Sequence, residues 1–95
     1  MRFDEVRFVI DRATGLPHCL VHHVTPAEVL QVLRSPAERS AGHDGASAVI
    51  GQTTRGRFLR VIFRDQNDGV LLVITAYDAS EKTIKAFRRR KRRRL

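Results

Sequence analysis

Alternating apolar and polar residues in the middle of the chain predict strands. Three segments favour this structure: Ala48 to Thr53, Arg57 to Arg64 and Val70 to Tyr77. In the second, Leu59, Val61 and Phe63 alternate with a set that includes the charged Arg60 and Arg64. A period of two is typical of a strand with one buried face and one polar face. Because short turn-forming segments separate the three strands, we predict an antiparallel meander.

Two capping patterns predict helices on either side of the meander. Thr25 and Glu28 form a capping box around a proline at the first helical position, and Ser35-Pro36 ends that helix. Asp78, with Glu81 three residues later, predicts the N-cap of a second helix.

The remaining segments complete the predicted order. Val6 to Ile10 favours a first strand, and Leu16 to His23 is compatible with either helix or strand. Positions 37–46 are predicted to be a polar connection. The pattern therefore predicts an α+β fold: a small antiparallel sheet formed by an N-terminal strand and the three-stranded meander, with one or two helices between them and a C-terminal helix.

Charge divides the chain into a nearly neutral body and a basic end. The net charge is +8, but Arg88 to Arg94 alone supply seven positive charges. Taking these from the 18 Lys and Arg leaves eleven basic against 10 acidic residues. We therefore predict one domain over 1–87 and a basic tail or helix end over 88–95, whose natural partners are polyanions.

Composition narrows the cellular setting. No apolar run approaches the length of a membrane span, and no secretory pattern is recognised at the N-terminus. Cys19 is the only cysteine, so no internal disulfide is possible. These features favour a soluble protein in the cytoplasm, without membrane contact.

One set of motifs resembles a known family. The matching residues are Phe8-x-x-Asp11, His22, the helix start Val24 to Val29, Ile50-Gly51-x-Thr53-x-x-Gly56-Arg57-x-Leu59-x-Val61, and Ile74-Thr75-Ala76. Together they resemble BrnT-like toxins, which belong to the RelE/ParE-like superfamily of toxin–antitoxin systems. The resemblance implies a RelE-like fold and an endoribonuclease that cleaves RNA without metal or cofactor. It also implies a cognate antitoxin as protein partner, with any oligomer forming through that antitoxin, in the bacterial cytoplasm.

The chain departs from the family pattern near its end. Tyr77, Thr83 and Phe87 stand where the family usually has arginine, glutamate and tyrosine. An alternative therefore stays open, in which the same fold binds nucleic acid or an antitoxin without catalysis.

Three residues are predicted to act in cleavage. His22 is a candidate base or acid because imidazole titrates near neutral pH, and it matches a histidine of the family more closely than His23 does. Arg57 is predicted to stabilise charge on the phosphate, and Tyr77 to donate a proton or stack on a base.

Further basic residues are predicted to bind nucleic acid. They are Arg55, Arg60, Arg64, Arg88, Arg89, Arg90, Lys91, Arg92 and Arg93. A metal site is not predicted, because His18, Cys19, His22 and His23 lack a second ligand cluster at a matching spacing.

Overall fold

The computed structural model describes residues 1–93, which form an α+β fold with two α-helices and one five-stranded mixed sheet. In chain order the elements are β1 (Glu5–Phe8), a 3₁₀ helix (His18–His22), α1 (Pro26–Arg34), β2 (Glu38–Ala41), β3 (Ser47–Gln52), β4 (Phe58–Asp65), β5 (Val70–Asp78) and α2 (Glu81–Arg93). The strand order across the sheet is β1-β5-β4-β3-β2.

The predicted alternation in β4 is confirmed. Leu59, Val61 and Phe63 are fully buried and form the centre of the core. α1 covers the sheet face that carries these three residues, and we call this side of the sheet the α1 face. Close approach of α1 requires a glycine in β3, since a Cβ built on Gly51 would lie 2.9 Å from Cγ1 of Val32.

The predicted capping box is also confirmed. The Glu28 backbone N–H donates to Oγ1 of Thr25 over 3.2 Å, and the Thr25 N–H donates to the Glu28 carboxylate over 3.0 Å. Local sequence was sufficient here because all the partners lie within four residues.

The prediction of an antiparallel sheet is wrong for β1. This strand pairs with β5 in parallel, with Glu5 opposite Val70 and Phe8 opposite Val73. It also ends earlier than the predicted Ile10, and the Asp11 side chain then accepts the Ala13 N–H in a turn. Two helical elements and three strands separate β1 from β5 along the chain, so turn chemistry does not fix their relative direction.

The predicted polar connection at 37–46 contains a further strand. β2 pairs antiparallel with β3, and Asp44 and Gly45, both with positive φ (54° and 77°), form part of the turn between them. Asp-Gly is a hairpin signal. It was missed because β2 lies at the sheet edge and its residues are mostly exposed and polar.

The predicted cap of α2 is displaced by two residues. The helix begins at Glu81, and Oγ of Ser80 accepts the Thr83 N–H over 3.1 Å. Asp78 instead ends β5, where its carboxylate binds Arg57. The ambiguous segment before α1 is the 3₁₀ helix.

A β-bulge in β5 changes which side chains face the second side of the sheet. Ile62 pairs with Thr75 and Phe63 with Val73, so Ile74 is an extra residue in β5. Ile74 and Thr75 consequently line the same groove, described below, although adjacent residues of a regular strand point to opposite faces.

The first prediction concerns Thr75, whose Oγ1 is buried and has no hydrogen-bond partner within the described part of the chain. Thr75→Val removes this hydroxyl and keeps a β-branched side chain, so we expect the free energy of unfolding to rise by about 1 kcal/mol in urea titrations.

Thr53→Val is the matched control, because the buried Oγ1 of Thr53 accepts the Arg57 N–H over 3.1 Å. The free energy of unfolding of Thr53→Val should fall by about 1 kcal/mol. Equal effects of the two substitutions on this free energy would contradict the conclusion that the Thr75 hydroxyl lacks a hydrogen bond.

Candidate functional site

Arg57 joins three separate parts of the fold. Its Nε and Nη2 donate to the two carboxylate oxygens of Asp78 over 2.6 and 3.0 Å. Its Nη1 donates to both oxygens of Glu28 over 3.2 Å and to the His23 carbonyl over 2.9 Å. Arg57 therefore connects the end of the 3₁₀ helix, the start of α1 and the end of β5.

The same contacts shift the ionisation of the partners. Hydrogen bonding to Arg57 is the main cause that lowers the pKa of Asp78. The pKa of Glu28 is lowered mainly by the hydrogen bond from the Thr25 backbone N–H, and the hydrogen bonds from Arg57 lower it further. In turn, hydrogen bonds to Asp78 first and to Glu28 second raise the pKa of Arg57. All three groups are thus held in their charged forms at neutral pH.

His22 and Tyr77 lie side by side next to this cluster. Their ring centroids are 5.9 Å apart with an interplanar angle of 70°, an edge-to-face contact. His22 also contacts His18 edge-on at 5.9 Å, and Nδ1 of His18 lies 3.1 Å from a carboxylate oxygen of Asp11. The His22 ring is exposed, whereas Tyr77 is half-buried. This arrangement places an accessible imidazole against a phenol.

The side of the sheet opposite to the α1 face carries Phe58, Arg60, Ile62 and Arg64, and we call it the α2 face. A groove lies on this face. The groove has a volume of about 350 Å³. Its lining, which defines the α2-face groove, is Gly42, His43, Asp44, Ala46, Arg60, Ile62, Arg64, Ile74, Thr75 and Tyr77. Two strands and the β2–β3 turn therefore place basic, aromatic and apolar side chains around one opening.

The two arginines of this groove differ from Arg57 in their surroundings. Arg60 and Arg64 are half-buried, and neither side chain makes a hydrogen bond or ion pair with another residue among 1–93. Arg60 lies directly across from Tyr77 in the β4–β5 pairing. A partly desolvated guanidinium without an anionic partner favours binding of an anion from solution.

The basic residues of α2 fall into two groups. Arg90 donates to the Glu38 carboxylate of β2 over 2.9 and 3.0 Å, which attaches the helix to the sheet. By contrast, four residues spaced i, i+3, i+4 and i+7 line one exposed side of the helix: Lys85, Arg88, Arg89 and Arg92. We call these four the α2 stripe. Like charges at such spacings repel each other, so a bound polyanion would relieve this repulsion.

The predicted site residues are only partly brought together. Tyr77, Arg60 and Arg64 line the α2-face groove, and His22 contacts Tyr77. Arg57 lies nearby, but its side chain is occupied by protein partners. Arg88 to Arg93 are helical, and Arg94 lies outside the described residues.

Arg55 lies apart from this groove. It lines a second opening beside α1, together with Gln31 and Thr54. Sequence reasoning in turn missed His43 and Asp44, although the Asp-Gly turn signal would have placed them on a hairpin loop.

Comparisons with known proteins do not identify a family. No family model matches the chain, and no curated protein or solved structure gives a significant match. Within residues 1–93, neither helix has the length and apolar character needed to cross a membrane, and no three His, Cys, Asp or Glu side chains converge as metal ligands would. The resemblance to BrnT-like toxins stays a prediction from sequence.

The second prediction follows from the lowered pKa of Asp78. A carboxyl whose pKa is lower in the folded state stabilises the fold fully above its unfolded pKa, near 4, and loses that contribution as pH falls through the folded value. Asp78→Asn should therefore lower the unfolding temperature at pH 7, and the difference from wild type should shrink below about pH 4.

Asp68→Asn serves as the control for this experiment, because Asp68 is exposed, has a positive φ of 53° that asparagine tolerates, and forms no ion pair with another residue among 1–93. Thermal unfolding from pH 7 to pH 2.5 measures both variants. A constant gap between Asp78→Asn and wild type over the whole range would contradict the prediction.

Proposed function

We propose that the protein is a BrnT-like toxin of a type II toxin–antitoxin system, an endoribonuclease that cleaves RNA without a metal in the bacterial cytoplasm. One observation carries the proposal: the accessible His22 imidazole contacts Tyr77 at the end of a groove, and the two arginines of that groove have no hydrogen-bond or ion-pair partner among residues 1–93. The motifs shared with BrnT-like sequences, most of all Gly51-x-Thr53-x-x-Gly56-Arg57, support the family assignment.

The proposed reaction needs a base, an acid and positive charge near one phosphate. The His22 imidazole takes the proton of the ribose 2′-hydroxyl, and the 2′-oxygen forms a bond to phosphorus. The bond from phosphorus to the 5′-oxygen breaks, and the Tyr77 hydroxyl protonates that leaving oxygen. The products are a 2′,3′-cyclic phosphate and a 5′-hydroxyl. Arg60, the cross-strand neighbour of Tyr77, is positioned to stabilise charge on the phosphate oxygens.

A RelE-like classification of the fold and the binding of a cognate antitoxin are parts of the same proposal. Both are supported by the sequence resemblance alone. The parallel β1 and the edge strand β2 depart from the strand arrangement that the sequence predicted.

The third prediction tests catalysis. The purified protein should cleave single-stranded RNA in the presence of EDTA. His22→Ala should lower kcat by about a hundredfold or more, the usual contribution of a proton-transferring residue, and Tyr77→Phe should lower it while keeping the ring.

Arg60→Gln should reduce kcat/KM, whereas Arg34→Gln is the matched control with the same loss of charge. Arg34 is exposed at the end of α1, which covers the opposite face of the sheet. Intact RNA after long incubation with concentrated wild-type protein, or equal activity of His22→Ala, would exclude cleavage at this site.

A second function, nucleic-acid binding without cleavage, is favoured by one specific observation. Arg57, which the sequence predicts to stabilise the phosphate, already donates to two carboxylates and a carbonyl. In this alternative the α2 stripe supplies most of the affinity through phosphate contacts.

The fourth prediction separates the stripe from the rest of the basic run. Replacing Arg89 and Arg92 together with glutamine should reduce the slope of log Kd against log salt concentration by about 1 to 2, since each lost phosphate contact contributes about 0.7 to 0.9. Arg90→Gln, in contrast, should leave this slope nearly unchanged, because that guanidinium binds Glu38.

Fluorescence anisotropy with a labelled RNA at several salt concentrations measures the slopes, and circular dichroism checks that the variants fold. Equal slopes for all variants, or the largest change for Arg90→Gln, would refute the division of the helix into two groups.

A further inference from the structure

The side chains along one face of β4 repeat in an order that matches a nucleotide. Arg60, Ile62 and Arg64 follow one another on the α2 face, so a cation is followed by an apolar side chain and then by a second cation. Four residues of extended chain separate the two arginine Cα atoms by about 13 Å, more than the step between neighbouring phosphates, so the two long side chains must bend toward each other to contact both. Single-stranded RNA presents a phosphate, a base and the next phosphate in the same order.

The groove has walls suited to the base. Ile62 and Ile74 provide apolar surface, and Tyr77 provides a flat aromatic ring. Ile74 reaches this position only because of the bulge in β5. Aromatic and apolar surfaces of this kind hold unstacked bases through their faces.

We infer that the α2-face groove binds one unpaired nucleotide of single-stranded RNA, with its base over Ile62 and against Tyr77 and its two flanking phosphates on Arg60 and Arg64. This inference rests on the proposed function for its RNA ligand. It adds the subsite, the orientation of the strand along β4, and selection for unpaired RNA. The phosphate on Arg60 lies next to Tyr77, which makes it the phosphate at the reactive end.

The size and chemistry of the groove favour this ligand over a duplex. A volume of about 350 Å³ is near the lower end for small-molecule sites and accommodates one nucleotide. In a duplex the faces of the bases are stacked and hidden, so a double helix offers the two isoleucines and the tyrosine nothing to contact. Asp44, at the rim of the groove, supplies an acceptor for the N–H groups of a base edge.

The test compares one sequence in two forms. Oligonucleotides of roughly ten nucleotides, within the usual site size for single strands, are made as 2′-O-methyl RNA so that the 2′-oxygen cannot attack phosphorus. One oligonucleotide is linear and carries 2-aminopurine at its centre, and the other has the same sequence paired in a hairpin stem. Anisotropy gives both affinities, and the 2-aminopurine emission reports whether a base leaves its stack and contacts the protein.

Two substitutions of the same kind distinguish the groove from the rest of the face. Ile62→Thr makes the floor of the groove polar while keeping a β-branched side chain suited to a strand. Leu72→Thr is the control, because half-buried Leu72 pairs with Arg64 on the same face but does not line the groove. Thermal unfolding confirms that both variants are folded at the assay temperature.

Expected results are an affinity for the linear form about tenfold higher than for the hairpin, and a change in 2-aminopurine emission on binding. Ile62→Thr should abolish the preference and the emission change, and Leu72→Thr should keep both. Equal affinity for the two forms, or an unchanged preference in Ile62→Thr, would overturn the inference even if RNA cleavage is found. Tight binding of polyglutamate that competes with the linear RNA and is unaffected by Ile62→Thr would also overturn it, in favour of an acidic protein partner.

Discussion

The contacts of Arg57 hold together the parts of the molecule on which the candidate site depends. The arginine binds Asp78 at the end of β5, the His23 carbonyl after the 3₁₀ helix, and Glu28 at the start of α1. Glu28 also closes the capping box, so one carboxylate serves both the helix and the cluster. His22 and Tyr77 are the direct neighbours of His23 and Asp78 in sequence. Arg57 therefore joins the two segments that carry His22 and Tyr77.

Arginines of this chain have different roles because their neighbours differ. Arg57 and Arg90 have carboxylate partners and act within the fold. Arg60 and Arg64 are half-buried and have no such partner in the described part of the chain, which leaves their charge available to a ligand. The α2 stripe is exposed and repels itself, a surface suited to long-range attraction of polyanions. The net charge of the chain does not distinguish these three groups of arginines.

Sequence predicted the features that depend on near neighbours and missed those set by distant ones. The alternation of β4 and the capping box of α1 were predicted because each is complete within a few residues. The cap at Asp78 was wrong because a residue 21 positions away binds its carboxylate. In the site, Tyr77 was predicted from its chemistry, and His22 from its chemistry and the family resemblance, but their contact requires the packing of the 3₁₀ helix against β5. The bulge that turns Ile74 into the groove depends on the pairing of β5 with β4, which the residues of β5 alone do not determine.

The basic run of α2 also explains why the groove is open. A helix covers a sheet when it has an apolar side to bury, and α2 buries only Phe87, which packs near Phe58 at one end of β4. The residues that follow are arginines and lysine, for which burial against Ile62 and Ile74 would cost far more than exposure to water. The helix is therefore held at its Phe87 contact and at Arg90, and the other half of the α2 face stays accessible. The same basic residues that give α2 its positive charge thus keep the helix from covering the α2-face groove.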